Sequence, residues 1–359
     1  MAENTEIAWC DHTVNFWWGC TKVSPACANC YAEGVDSRFH VPKGGLPEER
    51  LAPHWGPDAP RLVRLSAATK EAMRYERRAV ADGRRFRVFT NSMSDFFEAR
   101  KDLTLARLEA LDVIRQTPHL DWLILTKRPE HILESLRECL VPSYRQERYD
   151  LNGWLEAWFA GNPPANVWLG TTVEDQLRAD ERIPALLRVP AAVRFLSCEP
   201  LLGPVDLWTI RNPFFGVDWV ISALVCLDWV ICGGESGPKA RPMHPDWARG
   251  LRDQCAAAGV PFLFKQWGEW APFINEDHYT NGGAERYAHA WVEVSGKLQG
   301  LCWIVDDDGT WSNYTGKPPI DSENEISRTV AVMGRHGKKA AGRLLDGVLH
   351  DAFPEVPRG

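Results

Sequence analysis

Six short apolar runs, each ending in small, polar or charged residues, constrain the fold of this chain more than any other feature. Near-continuous apolar runs of this length are typical of parallel strands that are buried on both faces. The runs occupy residues 87–92, 122–127, 167–172, 194–199, 229–235 and 261–266. A seventh candidate strand, at 14–18, lies near the N-terminus. The sequence therefore predicts a largely parallel sheet.

The stretches between these runs carry helical patterns. They cover residues 66–81, 102–116, 129–140, 176–188 and 245–258. Strands that alternate with helices form βαβ units with right-handed crossovers. We therefore predict an α/β fold, a full or partial (β/α) TIM-like barrel that spans residues 1–272, with a doubly wound sheet as the alternative.

Two segments near the C-terminus break this alternation. Residues 273–331 are polar and glycine-rich but contain alternating apolar stretches, which predicts a small β-hairpin appendage. Residues 332–359 are predicted to form a basic helix that packs back on the barrel. Its basic cluster consists of Arg335, His336, Lys338, Lys339 and Arg343. Two interpretations of this cluster stay open, a contact with a phosphate backbone and a solvated surface.

Composition and charge exclude several classes of protein. The 359 residues carry a formal net charge of −7, so the chain is not a non-specific nucleic-acid coat, although a local basic groove is compatible with that charge. No run of about 18 apolar residues is present, which predicts the absence of a membrane span and of a membrane partner. The N-terminus lacks the apolar region of a secretory signal, so we expect a cytoplasmic protein.

Three cysteines near the N-terminus give the most specific chemical signal. Cys20, Cys27 and Cys30 follow the spacing C-x6-C-x2-C, and thiolates on one short loop can converge on a metal centre. A structural zinc normally needs a fourth Cys or His, whereas a [4Fe-4S] cluster held by three thiolates keeps one iron open. We favour the cluster, and keep zinc and buried free thiols as alternatives. If a fourth protein ligand exists, the candidates are Cys198, Cys232 and His12.

Polar residues at the ends of the apolar runs form the second set of candidates. Because ligands bind at the carboxyl ends of parallel strands, we expect these residues to surround one cavity beside the cysteines. The predicted cofactor contacts are Asn91, Ser92, Thr171, Glu174, Gly233, Gly234, Glu235, Ser236 and Lys265. The candidate catalytic residues are Cys198, Glu199 and Lys127. The alternative is that the charged members pair with one another as a buried polar plug.

Several stretches together resemble a known family. They are GCTKVSPACANCYAE, TNSMSDFF, LTKRPE, VWLGTTVED, RFLSCEPLLGP, WVICGGESGPKARPM and FKQWGEW. Through them most of the chain resembles the bacteriophage-associated three-Cys-motif family, a domain of unknown function found in phages, prophages and bacteria. That family is similar in plan to radical S-adenosylmethionine enzymes, in which a cysteine loop follows the first strand of a partial barrel.

The resemblance implies a cofactor chemistry. Cys20, Cys27 and Cys30 would hold a [4Fe-4S] cluster, and the amino and carboxylate groups of S-adenosylmethionine would chelate the open iron. Reductive cleavage of that cofactor yields a 5′-deoxyadenosyl radical in the resembled enzymes. This sequence departs from their usual C-x3-C-x-aromatic-C pattern, because its first gap is x6 and Tyr31 follows the third cysteine.

The leading hypothesis is a radical S-adenosylmethionine-type iron–sulfur enzyme that modifies nucleic acid or repairs lesions in it. The substrate class depends on the phage setting of the resembled family and on the basic C-terminal segment. The same setting implies a dedicated partner protein encoded nearby. The alternatives are cluster-dependent DNA repair or electron transfer without S-adenosylmethionine, and a zinc-stabilised binding protein.

Overall fold

A seven-stranded parallel sheet, curled into a half-barrel, forms the centre of the computed structural model. The structure describes residues 5, 7–40, 52–211, 220–272 and 331–355, and short strands at 293–294, 297–298, 303–305 and 311–313. In the order in which they pair, the seven strands are β1 (His12–Val14), β2 (Phe86–Thr90), β3 (Leu120–Thr126), β4 (Val167–Thr172), β5 (Val193–Cys198), β6 (Trp229–Gly233) and β7 (Phe262–Gln266).

The strand order confirms the partial-barrel prediction. The strands pair in the order in which they occur along the chain, without the reversal that defines a doubly wound sheet. The alternative architecture is therefore wrong. The carboxyl ends of all seven strands lie at the same edge of the sheet, because every neighbouring pair is parallel.

Eight α-helices connect or follow these strands in the described part of the chain. They are α1 (Tyr31–Phe39), α2 (Leu65–Asp82), α3 (Thr104–Arg115), α4 (Ile132–Arg145), α5 (Tyr149–Phe159), α6 (Gln176–Leu187), α7 (Pro245–Ala258) and α8 (Lys338–Ala341). Helices α2, α3, α4, α6 and α7 confirm the five helical patterns of the sequence. Helices α1 and α5 were not predicted. Short 3-10 turns occupy 25–27, 101–103, 129–131 and 223–225.

Side chains alternate between two apolar clusters along each strand. On β3, Trp122 and Ile124 belong to the large cluster shared with the helices, whereas Leu123 belongs to a smaller cluster inside the half-barrel. This inner cluster is rich in aromatic rings, including Trp168 and Trp229, whose ring centroids lie 6.2 Å apart. The period of two therefore fills both faces of the sheet, which explains the near-continuous apolar runs.

The predicted strand at 14–18 is two separate strands. Residues 12–14 form β1, whereas Trp17–Trp18 leaves the sheet and pairs antiparallel with Leu62–Val63. The side chain of Asn91 accepts a hydrogen bond from the Phe16 N–H at 2.9 Å. The Phe16 N–H therefore bonds to a side chain where a backbone carbonyl of β2 would continue the parallel ladder, and the ladder ends before Phe16.

The C-terminal region contains the predicted β-hairpin sheet. Strands β8 (Trp270–Pro272), β9 (Trp303–Val305), β10 (Trp311–Asn313) and β11 (Ala331–Arg335) form one antiparallel sheet in the order β8–β11–β9–β10. A separate hairpin joins Glu293–Val294 to Lys297–Leu298. The rest of residues 273–330 lies outside the described part of the chain.

The predicted basic helix at 332–359 is wrong over most of its length. Among its described residues, 332–355, only α8 is helical, and it ends before Gly342, whose φ of 74° is a conformation that favours glycine. A hairpin of Leu344–Leu345 with Val348–Leu349 follows. The segment nevertheless contacts the sheet, since the Phe264 N–H of β7 donates to the His350 carbonyl at 2.9 Å.

Shorter paired strands complete the fold. Ile210–Arg211 pairs antiparallel with Val220–Ile221. No helix among the described residues is long and apolar enough to cross a membrane.

We expect Gly170→Ala to destabilise the half-barrel. A Cβ atom at Gly170 on β4 would lie 2.4 Å from ring atoms of Phe195 on β5, so the fully buried ring would have to move. Overpacking of this kind costs about 1–3 kcal/mol, which urea unfolding would measure. Gly153→Ala is the matched control, because a Cβ there on α5 meets no atom within 4 Å. Equal stabilities of the two variants would contradict the packing that we describe.

Candidate cofactor site

A cavity of about 480 Å³ opens at the carboxyl ends of the strands, a volume typical of small-molecule sites. The cysteine loop and the ends of β2 to β7 form its walls. The predicted site residues that line it are Cys20, Cys27, Cys30, Asn91, Ser92, Lys127, Glu199, Gly234, Glu235, Ser236 and Lys265. The structure thus brings most of the predicted set together in one place.

Four predicted residues do not line the cavity. Thr171 is buried and its Oγ1 donates to the Thr126 carbonyl at 2.9 Å. Gly233 leaves room for Glu199, because a Cβ there would lie 3.0 Å from Cγ of that side chain. Cys198 and Glu174 are fully buried. The strand-end pattern identified the right positions along the chain. However, successive side chains of a strand point to opposite faces of the sheet, so only some of the predicted residues face the cavity.

The three candidate fourth ligands lie elsewhere. Cys198 and Cys232 belong to the apolar cluster on the helix side of the sheet, and burial raises the pKa of both thiols. The His12 ring stacks on Tyr75 of α2, with a centroid distance of 3.9 Å. None of the three lines the cavity. The structure therefore does not place a fourth ligand from this set beside the three thiols, and the candidate catalytic residue Cys198 lies away from the cavity.

The spacing of the three loop thiols bears on the kind of metal centre. Within the described residues, the sulfurs of Cys20, Cys27 and Cys30 do not all lie within 4.8 Å of one another. Around a tetrahedral zinc with bonds of about 2.3 Å, two sulfurs would be about 3.8 Å apart. A four-iron cluster binds each thiolate through a different iron and needs a wider triangle. In this metal-free arrangement the three sulfurs are therefore not gathered as ligands of one ion.

Two buried carboxylates hold the second half of the cysteine loop. Glu174 accepts a hydrogen bond from the Ala26 N–H at 3.4 Å, and its other oxygen pairs with Arg182 at 2.7 Å. Glu235 accepts from Asn29 Nδ2 at 3.1 Å and pairs with Arg241 at 2.6 Å. Both glutamates were predicted to contact the cofactor. Their oxygens instead anchor the loop between Cys20 and Cys30.

A second buried network holds the Cys20 end of the loop. Arg128 donates to the Thr21 carbonyl at 2.6 Å, contacts Cys20 Sγ at 3.7 Å and pairs with Asp95 at 2.8 Å. Burial alone would raise the pKa of Asp95, but Arg128 and three hydrogen bonds outweigh it and hold that pKa below its ordinary value. The polar-plug alternative therefore describes these charges well.

Arg61 and Glu98 extend this network and were missed by sequence reasoning. Their side chains are nearly fully buried and pair at 2.7 Å, while Arg61 Nη2 donates to Thr21 Oγ1 at 2.9 Å. The two residues are 37 positions apart, and neither follows an apolar run. Charged residues are rarely buried unless they are paired. Because a sequence does not show which distant charges pair, no sequence pattern identified these two residues.

The cavity keeps a surplus of positive charge. Glu199 is neutralised by Lys265, whose Nζ lies 2.5 Å from Oε1. Lys127 and Lys338 also line the cavity, and among the described residues neither ammonium group has a hydrogen-bonding or ionic partner. The two lysines can therefore attract a carboxylate or a phosphate group.

Three residues that line the cavity each contain a buried polar atom without a hydrogen-bond partner among the described residues. Asn91, Thr172 and Trp9 line the cavity, and the Nδ2, Oγ1 and Nε1 atoms of these three residues are buried without a hydrogen-bond partner in the described chain. Such atoms usually have partners in folded proteins, so each is a position where a bound water or a small shift of the side chain would supply one. Thr172 and Trp9 were not predicted as site residues.

In the metal-free protein we expect Cys20 to react slowly with iodoacetamide. Burial raises the pKa of its thiol to about 12, and Asp95 adds to that effect, so little thiolate exists at pH 8. Peptide mapping by mass spectrometry should show alkylation of Cys20 at least tenfold slower than that of Cys226, which is exposed. The same rate at both residues would contradict the raised pKa of the half-buried Cys20 thiol.

Comparison with known proteins gives one match. The sequence matches, over residues 4–354, a family described as "Protein of unknown function (DUF5131)". No curated protein and no solved structure shows significant similarity to this sequence.

Proposed function

The chain belongs to the DUF5131 family, and we propose that it is an iron–sulfur enzyme of the radical S-adenosylmethionine type that acts on nucleic acid. One observation carries the proposal. Three cysteines from a single loop, without a fourth cysteine among the described residues, line a cavity at the carboxyl ends of a half-barrel.

The donor set is suited to a [4Fe-4S] cluster. Cys20, Cys27 and Cys30 supply three thiolates at the cavity, which is the number that leaves one iron of a four-iron cluster without a protein ligand. Arg128 contacts the Cys20 sulfur and would favour its thiolate form on binding. Held by these thiolates and reduced by an external one-electron donor, a cluster would supply the electron for cleavage of S-adenosylmethionine into methionine and a 5′-deoxyadenosyl radical that takes a hydrogen atom from a substrate.

The remaining cavity residues can hold the organic cofactor. Asn91, Ser92 and Thr172 line the cavity and can offer polar groups to it. Glu199 and Lys265, held as a pair, offer an acceptor and a donor at the ends of β5 and β7. Glu174 and Glu235 are not proposed as ligands, because they anchor the cysteine loop.

The charge around the cavity supports a polyanionic substrate. Within the described part of the chain Lys127 and Lys338 lack partners, whereas the lining carboxylates of Asp95, Glu199 and Glu235 are all paired with cations. An overall net charge of −7 does not oppose this, because a local positive field attracts an anion at short range. We therefore propose a nucleic-acid strand as the substrate class.

We expect loss of iron on substitution of any one of the three cysteines. Cys20→Ala, Cys27→Ala and Cys30→Ala should each lower the iron content of anaerobically purified protein at least fivefold, because two thiolates hold a cluster poorly. Iron and sulfide analysis measures the effect. Cys226→Ala is the matched control, since this thiol is exposed and does not line the cavity. Full iron content in a variant that carries all three substitutions would rule out a cluster on these cysteines.

Titration of the reduced cluster protein with S-adenosylmethionine separates the proposal from its main rival. We expect a changed electron paramagnetic spectrum and release of 5′-deoxyadenosine. A stable cluster that neither binds nor cleaves the cofactor would instead favour electron transfer or repair without S-adenosylmethionine.

We expect the double change Lys127→Ala with Lys338→Ala to weaken binding of a single-stranded oligonucleotide about tenfold. Two fewer phosphate contacts should also reduce the slope of log affinity against log salt by about 1.4. Fluorescence anisotropy at several salt concentrations measures both. Lys70→Ala, an exposed residue on α2, is the control. Equal slopes for the wild type and the double variant would rule out phosphate contacts by these lysines.

A further inference from the structure

We propose that Asp36, His40 and His54 form a second metal site, which binds one zinc ion. The three side chains lie behind the cysteine loop, at the end of α1 and in the segment that precedes α2. Their ligand atoms all lie within 4.8 Å of one another, and no other group of three such residues meets this condition in the described chain.

The distances suit zinc. Asp36 Oδ1 lies 2.9 Å from His54 Nδ1 and 3.4 Å from His40 Nδ1. Ligands bound to a tetrahedral zinc at 2.0–2.2 Å are about 3.3–3.5 Å apart, so small shifts bring all three onto one ion. To bind zinc through Nδ1, an imidazole must carry its proton on Nε2. A neutral histidine can adopt this tautomer without a change of charge.

The buried negative charge of Asp36 favours the binding of a cation at this position. Its side chain is fully buried, and among the described residues no lysine or arginine contacts it. Its partners are the two imidazoles and the backbone N–H of His54, which donates to Oδ2 at 3.3 Å. A buried carboxylate is costly unless it is paired or binds a metal, and neutral imidazoles do not balance its charge. A divalent ion with two imidazole ligands and one carboxylate ligand does.

The side of the site at His40 is open. The His40 side chain is 37% exposed, whereas that of His54 is 12% exposed. Three protein ligands and one solvent-facing position allow a water molecule to complete a tetrahedron. Zinc is favoured over calcium or magnesium, which prefer sites built from oxygen atoms alone.

The site would fix the segment around His54 against the start of the cysteine loop. The His54 carbonyl accepts from Arg61 Nη1 at 2.9 Å, and it lies where a Cβ at Gly19 would be, at 2.2 Å. The Gly56 N–H donates to the Cys20 carbonyl at 3.0 Å. Zinc bound by Asp36, His40 and His54 would therefore tie α1 to the segment that contacts Gly19 and Cys20, without using a thiol.

Titration of the purified, iron-loaded protein with Zn²⁺ alone, buffered by a chromophoric competitor, tests the proposal. We expect one zinc per chain in addition to the iron. Asp36→Asn and His54→Gln should each lower the affinity at least tenfold and leave the iron content unchanged. His119→Gln is the matched control, because His119 pairs with Glu76 at 2.6 Å in the same way but lacks a third ligand. Unchanged zinc affinity in Asp36→Asn and His54→Gln would overturn the site.

A second measurement separates this site from the cysteines. The triple variant Cys20→Ala, Cys27→Ala and Cys30→Ala should still bind one zinc. With Co²⁺ in place of zinc, the variant should show visible ligand-field bands without a thiolate charge-transfer band. Loss of zinc binding in the triple variant would assign the ion to the thiols and end the proposal. Zinc binding in a protein that never assembles a cluster would leave this site standing while the proposed function fails.

Discussion

The parallel register of the seven strands is the constraint on which the rest of the structure depends. Because each strand pairs with the strand before it in the same direction, all carboxyl ends reach one edge. The same register sets which residues face inward, since side chains alternate along every strand. Thr172 thus reaches the cavity while its neighbour Thr171 is bonded to the adjacent strand.

Buried ion pairs give the cavity its second constraint. Such pairs are costly to desolvate and rarely persist unless further hydrogen bonds satisfy their remaining atoms. The pairs Arg182–Glu174, Arg241–Glu235 and Arg128–Asp95 all meet this condition, and in each the further bonds go to the cysteine loop or the strand end beside it. The polar interior therefore serves chiefly to hold one loop in a defined shape, and few charges remain free for a ligand.

Local patterns were enough to predict most of the architecture. The apolar runs identified six strands, and five helices followed from helical spacing. Helix α5 was missed because Asn152 and Gly153 are weak helix formers, and it depends on burial of Leu155 and Trp158. Helix α1 was missed because only Ala32 and Asp36 are buried along it, so its sequence has no apolar stripe.

The site was only partly predictable from sequence, for a different physical reason. The cysteine spacing and the strand ends are local signals, and most of those residues do line one cavity. Which carboxylate is free and which is paired depends on distances between residues far apart in the chain. Glu235 is an example, because Arg241 is close in sequence but Asn29 is 206 positions away.

These long separations have a consequence for the order in which the protein matures. The cysteine loop is synthesised before its anchors Glu174, Glu235 and Arg241, which are 148 to 216 residues further along the chain. Contacts this distant in sequence form late, after the intervening strands have paired. The loop therefore takes its final shape only when most of the chain has been synthesised. The proposed cluster would then be delivered to these thiols after the chain has been synthesised past Arg241, and until then the three cysteines lack these anchors.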